Sequence, residues 1–178
     1  MKQIRTLCCL ALIFATSLVL AQANNQNNWT VNIQDGTVEA FTLGGNETSL
    51  GLFCAKNECF FYIHQPIPCQ QGAQIPALLS STAVATAVNL RCTRINNNLF
   101  AILEPFPSLL KATQESRAIS FALPLSNGGF GILEFGLIGA KEAIALALLR
   151  AAQLDQSQNN KNALPKTPGI TPLNQIEL

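Results

Sequence analysis

Residues 29–43 read WTVNIQDGTVEAFTL, and this stretch decides the fold class. Two runs rich in Val, Ile, Thr and Phe flank Asp35-Gly36, a dipeptide suited to a two-residue hairpin because both turn positions there need positive φ. The expected arrangement is a strand over Trp29–Ile33 and a second over Thr37–Leu43, with Val38, Phe41 and Leu43 available for packing.

Downstream, Gly44-Gly45-Asn46-Glu47 turns the chain into a second hairpin. Its strands are Thr48–Cys54 and Cys59–Ile63, around the polar loop Ala55–Glu58. The segment His64–Pro76 carries three prolines and Gly72, which suits an ordered loop better than a helix or a central strand. A strand follows over Ala83–Ile95, preceded by Ala77–Ser81, which reads either as its extension or as a short helical turn. Asn96–Asn98 is a turn and Leu99–Leu103 a buried strand; Pro105 and Pro107 then precede Ser108–Thr113, a short helix ending near Ser116. Ala118–Leu125 and Phe130–Leu137 form a last hairpin around Ser126-Asn127-Gly128-Gly129.

Ala140–Leu154 has no internal Gly or Pro, carries Glu142 near its start and Arg150 near its end, and is therefore a helix. Ile144, Ala147, Leu148 and Ala151 make one apolar stripe, which Leu146 and Leu149 widen. Such a helix must pack on the sheet. The fold class is mainly β with α elements: an antiparallel β-sandwich or curled sheet packed by a C-terminal helix, forming a single domain over residues 29–154. Residues 155–178 change to Gln, Asn, Pro and Thr and read as a disordered tail, as do the polar residues 24–28 at the other end.

Lys2 and Arg5, an apolar run from Leu7 to Leu20 and Ala21-Gln22-Ala23 make residues 1–23 a cleaved secretory signal peptide. Cys8 and Cys9 open the apolar run instead of closing it, which does not suit a lipid-attachment site. Loss of the two charges Lys2 and Arg5 takes the formal charge from +1 to −1. A chain so balanced has no field to attract nucleic acid, and no later apolar run provides an integral membrane segment.

Export also sorts the cysteines. Cys54, Cys59, Cys69 and Cys92 remain after cleavage, an even number bound for an oxidising compartment, and three connectivities are open to them. Cys54 and Cys59 flank a tight turn, so Cys54–Cys59 with Cys69–Cys92 is the favoured pairing. Chain entropy assigns about 2 kcal/mol to the short closure and about 3.5 kcal/mol to the long one.

Few residues suggest chemistry. His64, the single histidine, follows Phe60-Phe61-Tyr62 and would need a free Cys69 to form a nucleophilic pair. The cysteine spacing suits neither a compact zinc site nor a redox C-x-x-C motif, so no metal or cofactor is expected. Glu104 and Glu134 each interrupt an apolar stretch; a catalytic pair would need them to face one substrate, and Glu134 fits equally well as the solvent-facing residue of a half-buried strand. Gly128-Gly129-Phe130-Gly131 lacks the basic residue of a phosphate loop. Downstream of the expected signal peptide, Arg91 and Arg94 form the close basic pair. His64, Arg91, Arg94, Glu104 and Glu134 are thus the candidate ligand contacts.

Leu109–Ala112, the strand Ala118–Leu125 and the stretch Phe135–Ile144 resemble the C-terminal part of the bacterial invasion-associated locus B family. Phe121, Leu123, Pro124 and Leu125 match the family's strand; Phe135, Leu137, Gly139 and Ala143 match its approach to the last helix. The resemblance implies an exported, β-rich envelope protein and transfers no catalytic residue. Family members often place a cysteine pair in the C-terminal half, whereas all four cysteines downstream of the signal lie within Cys54–Cys92. The expected function is a non-enzymatic exported interaction protein whose partner is an envelope or host protein. The alternative is a small periplasmic hydrolase or redox enzyme.

Overall fold

The computed structural model describes residues 29–56, 58–64, 70–95, 98–125 and 127–162. Residues 1–23, expected to be a signal peptide, residues 24–28, Cys69 and residues 163–178 lie outside the described residues.

The first hairpin pairs β1 (Thr30–Gln34) with β2 (Thr37–Leu43). Asp35 and Gly36 take φ of 48° and 79°, the left-handed pair that matches the twist of the strands, and the Thr37 hydroxyl donates to the Gln34 carbonyl at 2.7 Å. A compact turn, in which Gly44 N–H donates to the Thr48 carbonyl at 2.8 Å, leads into β3 (Ser49–Ala55). Gly44 is required there: an added Cβ would stand 2.7 Å from the Phe135 ring. β3 pairs with β4 (Glu58–His64) as far as Ala55 opposite Glu58, so the strands consume the ends of the expected four-residue loop.

β5 (Gln74–Ser81), β6 (Ala85–Ile95) and β7 (Asn98–Glu104) form a meander, then comes α1 (Phe106–Glu115). β8 (Ala118–Pro124) and β9 (Phe130–Gly136) make the last hairpin before α2 (Ala140–Asn162). The nine strands of the described residues join one antiparallel sheet in the order β1-β2-β3-β4-β7-β6-β5-β8-β9.

Residues 77–81 are strand, and β5 includes Pro76, a residue the sequence placed in a loop. Hydrogen bonding explains the tolerance. Ser81 N–H donates to Val84 and Cys92 N–H to Ala73, so odd-numbered residues of β5 bond to β6. The Pro76 nitrogen therefore faces the other neighbour, β8, whose pairing has already ended at Leu78.

The sheet curls until its ends meet, where the Trp29 indole N–H donates to the Gly136 carbonyl at 3.1 Å and Gly44 abuts Phe135. Its concave face carries Val38, Leu52, Phe61, Leu90 and Phe121, all fully buried, and is filled by Leu109 and Ala112 of α1 and by Ala140, Ile144 and Ala147 of α2. Phe41 and Leu43 do not share this face: alternation puts Val38, Ala40 and Thr42 inward, leaving Phe41 half-buried on the convex side and Leu43 exposed. The stripe on α2 is narrower than expected. Leu148 and Ala151 continue it half-buried, while Leu146 and Leu149 face solvent. The helix also runs past Leu154 to Asn162, so the first eight residues of the expected disordered tail are helical.

Candidate binding edge

β9 ends the sheet, and its hydrogen-bond parity determines what it offers. Leu137 N–H donates to the Arg117 carbonyl at 2.8 Å and Leu125 N–H to the Gly129 carbonyl at 2.9 Å. In the register that places Ala118 opposite Gly136, odd-numbered residues of β9 therefore bond to β8. The N–H and C=O groups of Phe130, Ile132, Glu134 and Gly136 point the other way. Trp29 takes the Gly136 carbonyl. Among the described residues no strand pairs with the others.

The same parity puts the side chains of Phe130, Ile132 and Glu134 on the convex face. Phe130 is 64% exposed and Ile132 57% exposed. Ile132 continues a cross-strand row through Ala122 to Leu78, itself 55% exposed. Two residues along, Glu134 continues a polar row through Ser120 to Ser80. An exposed apolar row beside a row of hydroxyls and a carboxylate, both ending on a sheet edge that pairs with no strand among the described residues, is the surface an added strand needs.

Two clefts meet at Glu134. One, of about 550 Å³, separates Ile132, Leu133 and Glu134 from Gly45, Asn46 and Thr48 of the β2–β3 turn. The other, of about 600 Å³, is lined by Ser80, Ser120, Glu134, Arg117 and Ile138 among others.

The remaining sequence candidates lie elsewhere. Arg91 and Glu104 form an ion pair at 3.2 Å with side chains 44% and 52% exposed, at the margin of a third cleft lined by Phe60, Ile102 and Phe106. So exposed a pair contributes little stability. Glu104 is on β7 and Glu134 on β9, four strands apart or about 19 Å along the sheet, and they line different clefts. Arg94 is exposed on β6, opposite Leu99. His64 is half-buried, its Nδ1–H donating to the Leu99 carbonyl at 3.0 Å and its ring 5.2 Å from that of Phe100. Cys54 and Cys59 are bonded to each other, as their spacing suggested, and Cys92 is also disulfide-bonded.

A polar contact that sequence reasoning missed crosses β3. Tyr62 on β4 lies over Gly51 and its hydroxyl donates to Glu39 Oε1 on β2 at 2.5 Å. Burial first, then the bond to Glu39 and its negative charge, push the phenol far above its usual range, so it is a fixed proton donor and holds the convex face of three strands together. The unpaired edge of β9 was missed as well. The alternation in Phe130–Gly136 showed an exposed face, but which strand ends the sheet depends on pairings distant in sequence.

Among the described residues no group of three or more His, Cys, Asp and Glu could hold a metal, and no helix is long and apolar enough to cross a membrane. No family model, curated protein or solved structure matches the chain.

Proposed function

We propose that this chain is an exported, non-enzymatic interaction protein that takes up an extended segment of an envelope or host partner along the open edge of β9. One observation carries the proposal: the main-chain groups of Phe130, Ile132 and Glu134 face outward beside an exposed apolar row, on a side of β9 with which no strand pairs among the described residues and which Trp29 meets at Gly136. Main-chain pairing supplies affinity and the row supplies a preference for apolar side chains. Export is supported by the leader sequence and by disulfide-bonded Cys54, Cys59 and Cys92, which suit an oxidising compartment. The resemblance of residues 109–144 to an exported envelope family agrees with it.

Site-specific photocrosslinking in the native host tests the reading. A photoreactive residue at Phe130 is expected to give a discrete partner adduct, and one at Leu149, exposed on α2, is not. Ile132→Pro should abolish the Phe130 adduct, since it removes an outward N–H without touching the β8 ladder. Adducts of equal yield from both positions, or none from Phe130, would refute the assignment.

A further inference from the structure

We infer that the incoming segment is an antiparallel strand with a Lys or Arg opposite Glu134 and apolar residues opposite Ile132 and Phe130, a basic-x-apolar-x-apolar pattern read from its N-terminal side. The inference rests on the binding reading of β9 and adds the chemistry of the partner. Trp29 already occupies the Gly136 carbonyl, so an added ladder stops at Glu134 and runs back to Phe130. Each of Phe130, Ile132 and Glu134 then exchanges two main-chain bonds with the residue opposite, and the side chains of those partner residues stand on the convex face. There they extend the two rows already built. A side chain opposite Ile132 continues Leu78–Ala122–Ile132, and one opposite Glu134 continues Ser80–Ser120–Glu134.

Charge sets the identity of the second. Glu134 is exposed and is the carboxylate common to both clefts. Arg117, the cation in the larger cleft, is placed by the register opposite Leu137, three residues from Ser120, and so does not stand in the row that ends on Glu134. A cation directly opposite Glu134 gains a cross-strand pair, whereas a carboxylate there is repelled.

The width of the slot favours a free segment over a second copy of this chain. The β2–β3 turn, through Gly45, Asn46 and Thr48, stands across the smaller cleft from Ile132–Glu134. A second copy that brought its own β9 would bring β8 behind it, where the turn stands. Pairing two copies about Ile132 would also set Glu134 against Phe130, a carboxylate against a phenyl ring.

The experiment uses the full chain, labelled with nitrogen-15, at low salt. Two acetylated, amidated peptides serve as probes, Thr-Lys-Thr-Val-Thr-Val-Thr and its Glu counterpart at the second position. With the Lys peptide, amide shifts are expected at Phe130, Ile132 and Glu134, with half-saturation at about fivefold lower concentration than with the Glu peptide. Glu134→Lys should invert that order, and Ile132→Pro should remove the shifts from both. Equal binding of the two peptides, or an order unchanged in Glu134→Lys, overturns the basic specification and leaves the edge reading standing. Absence of shifts at the edge with either peptide overturns both. Concentration-dependent shifts at these amides before peptide is added, lost in Ile132→Pro, assign the edge to a second copy and also overturn the inference.

Discussion

The Trp29 indole N–H donates to the main-chain carbonyl of Gly136 at 3.1 Å, tying the start of β1 to the end of β9 across 107 positions of sequence. It is a single clasp between two edges that do not otherwise pair among the described residues. Without it, packing alone would hold the sheet in its curl at this seam among the described residues. Trp29→Phe keeps most of the apolar surface and removes the donor. The expected loss is about 1 kcal/mol, read as a lower urea midpoint with unchanged slope. It should also speed hydrogen exchange at β9 amides before global unfolding, because the seam opens locally first.

The concave core depends on α2. Ile144 is fully buried between the helix and the sheet, whereas Leu149, one and a half turns on, is 56% exposed. Ile144→Ala should cost about 2–5 kcal/mol through lost burial and the cavity left behind. Leu149→Ala should stay within about 0.5 kcal/mol of the parent. Denaturant unfolding of the two variants checks which side of α2 faces the sheet; comparable losses would contradict the observed orientation.

Local chemistry made much of this fold legible in advance. Asp35-Gly36 specifies its turn because the demand for positive φ is met within the dipeptide, and Cys54 and Cys59 advertise a hairpin because their separation suits adjacent strands. The placement of β7 beside β4, and of β5 beside β8, was not legible, since those neighbours are set by how the meander closes on a shared core. Phe41 and Leu43 show a different failure: hydrophobicity alone put them with Val38, but their odd numbers put them on the opposite face. The site followed the same division. Glu134 stood out as a carboxylate in an apolar run, while the significance of Ile132 came only with the position of β9 at the end of the sheet.

Thr42 occupies an inward position of β2, and its hydroxyl has no hydrogen-bond partner among the described residues. A buried hydroxyl without a partner costs free energy that a methyl group of similar size does not. Thr42→Val is therefore expected to stabilise the protein by about 1 kcal/mol, seen as a higher thermal midpoint. A lower midpoint would mean that the hydroxyl is satisfied in solution.

Tyr62 is the only tyrosine in the chain, so its ionisation can be followed alone by ultraviolet absorbance. Burial, the hydrogen bond to Glu39 and the charge of Glu39 raise its pKa in the folded state above the ordinary value of 10.0. Above pH 10 the unfolded chain loses this proton and the folded chain keeps it, so the folded state binds more protons and stability falls as pH rises. The contribution is complete below pH 10 and declines by up to about 1.4 kcal/mol per pH unit above it. Native protein should show no phenolate absorbance through about pH 12, while denatured protein titrates near pH 10. Tyr62→Phe should flatten the alkaline loss of stability and, by leaving the half-buried Glu39 without its donor, cost about 1–3 kcal/mol at neutral pH. Gly51→Ala reaches the same contact from the other side, because its Cβ would come within 2.7 Å of the Tyr62 ring and displace the hydroxyl from Glu39. A native titration near pH 10 in Gly51→Ala, absent from the parent, would connect the glycine, the phenol and the carboxylate as one unit.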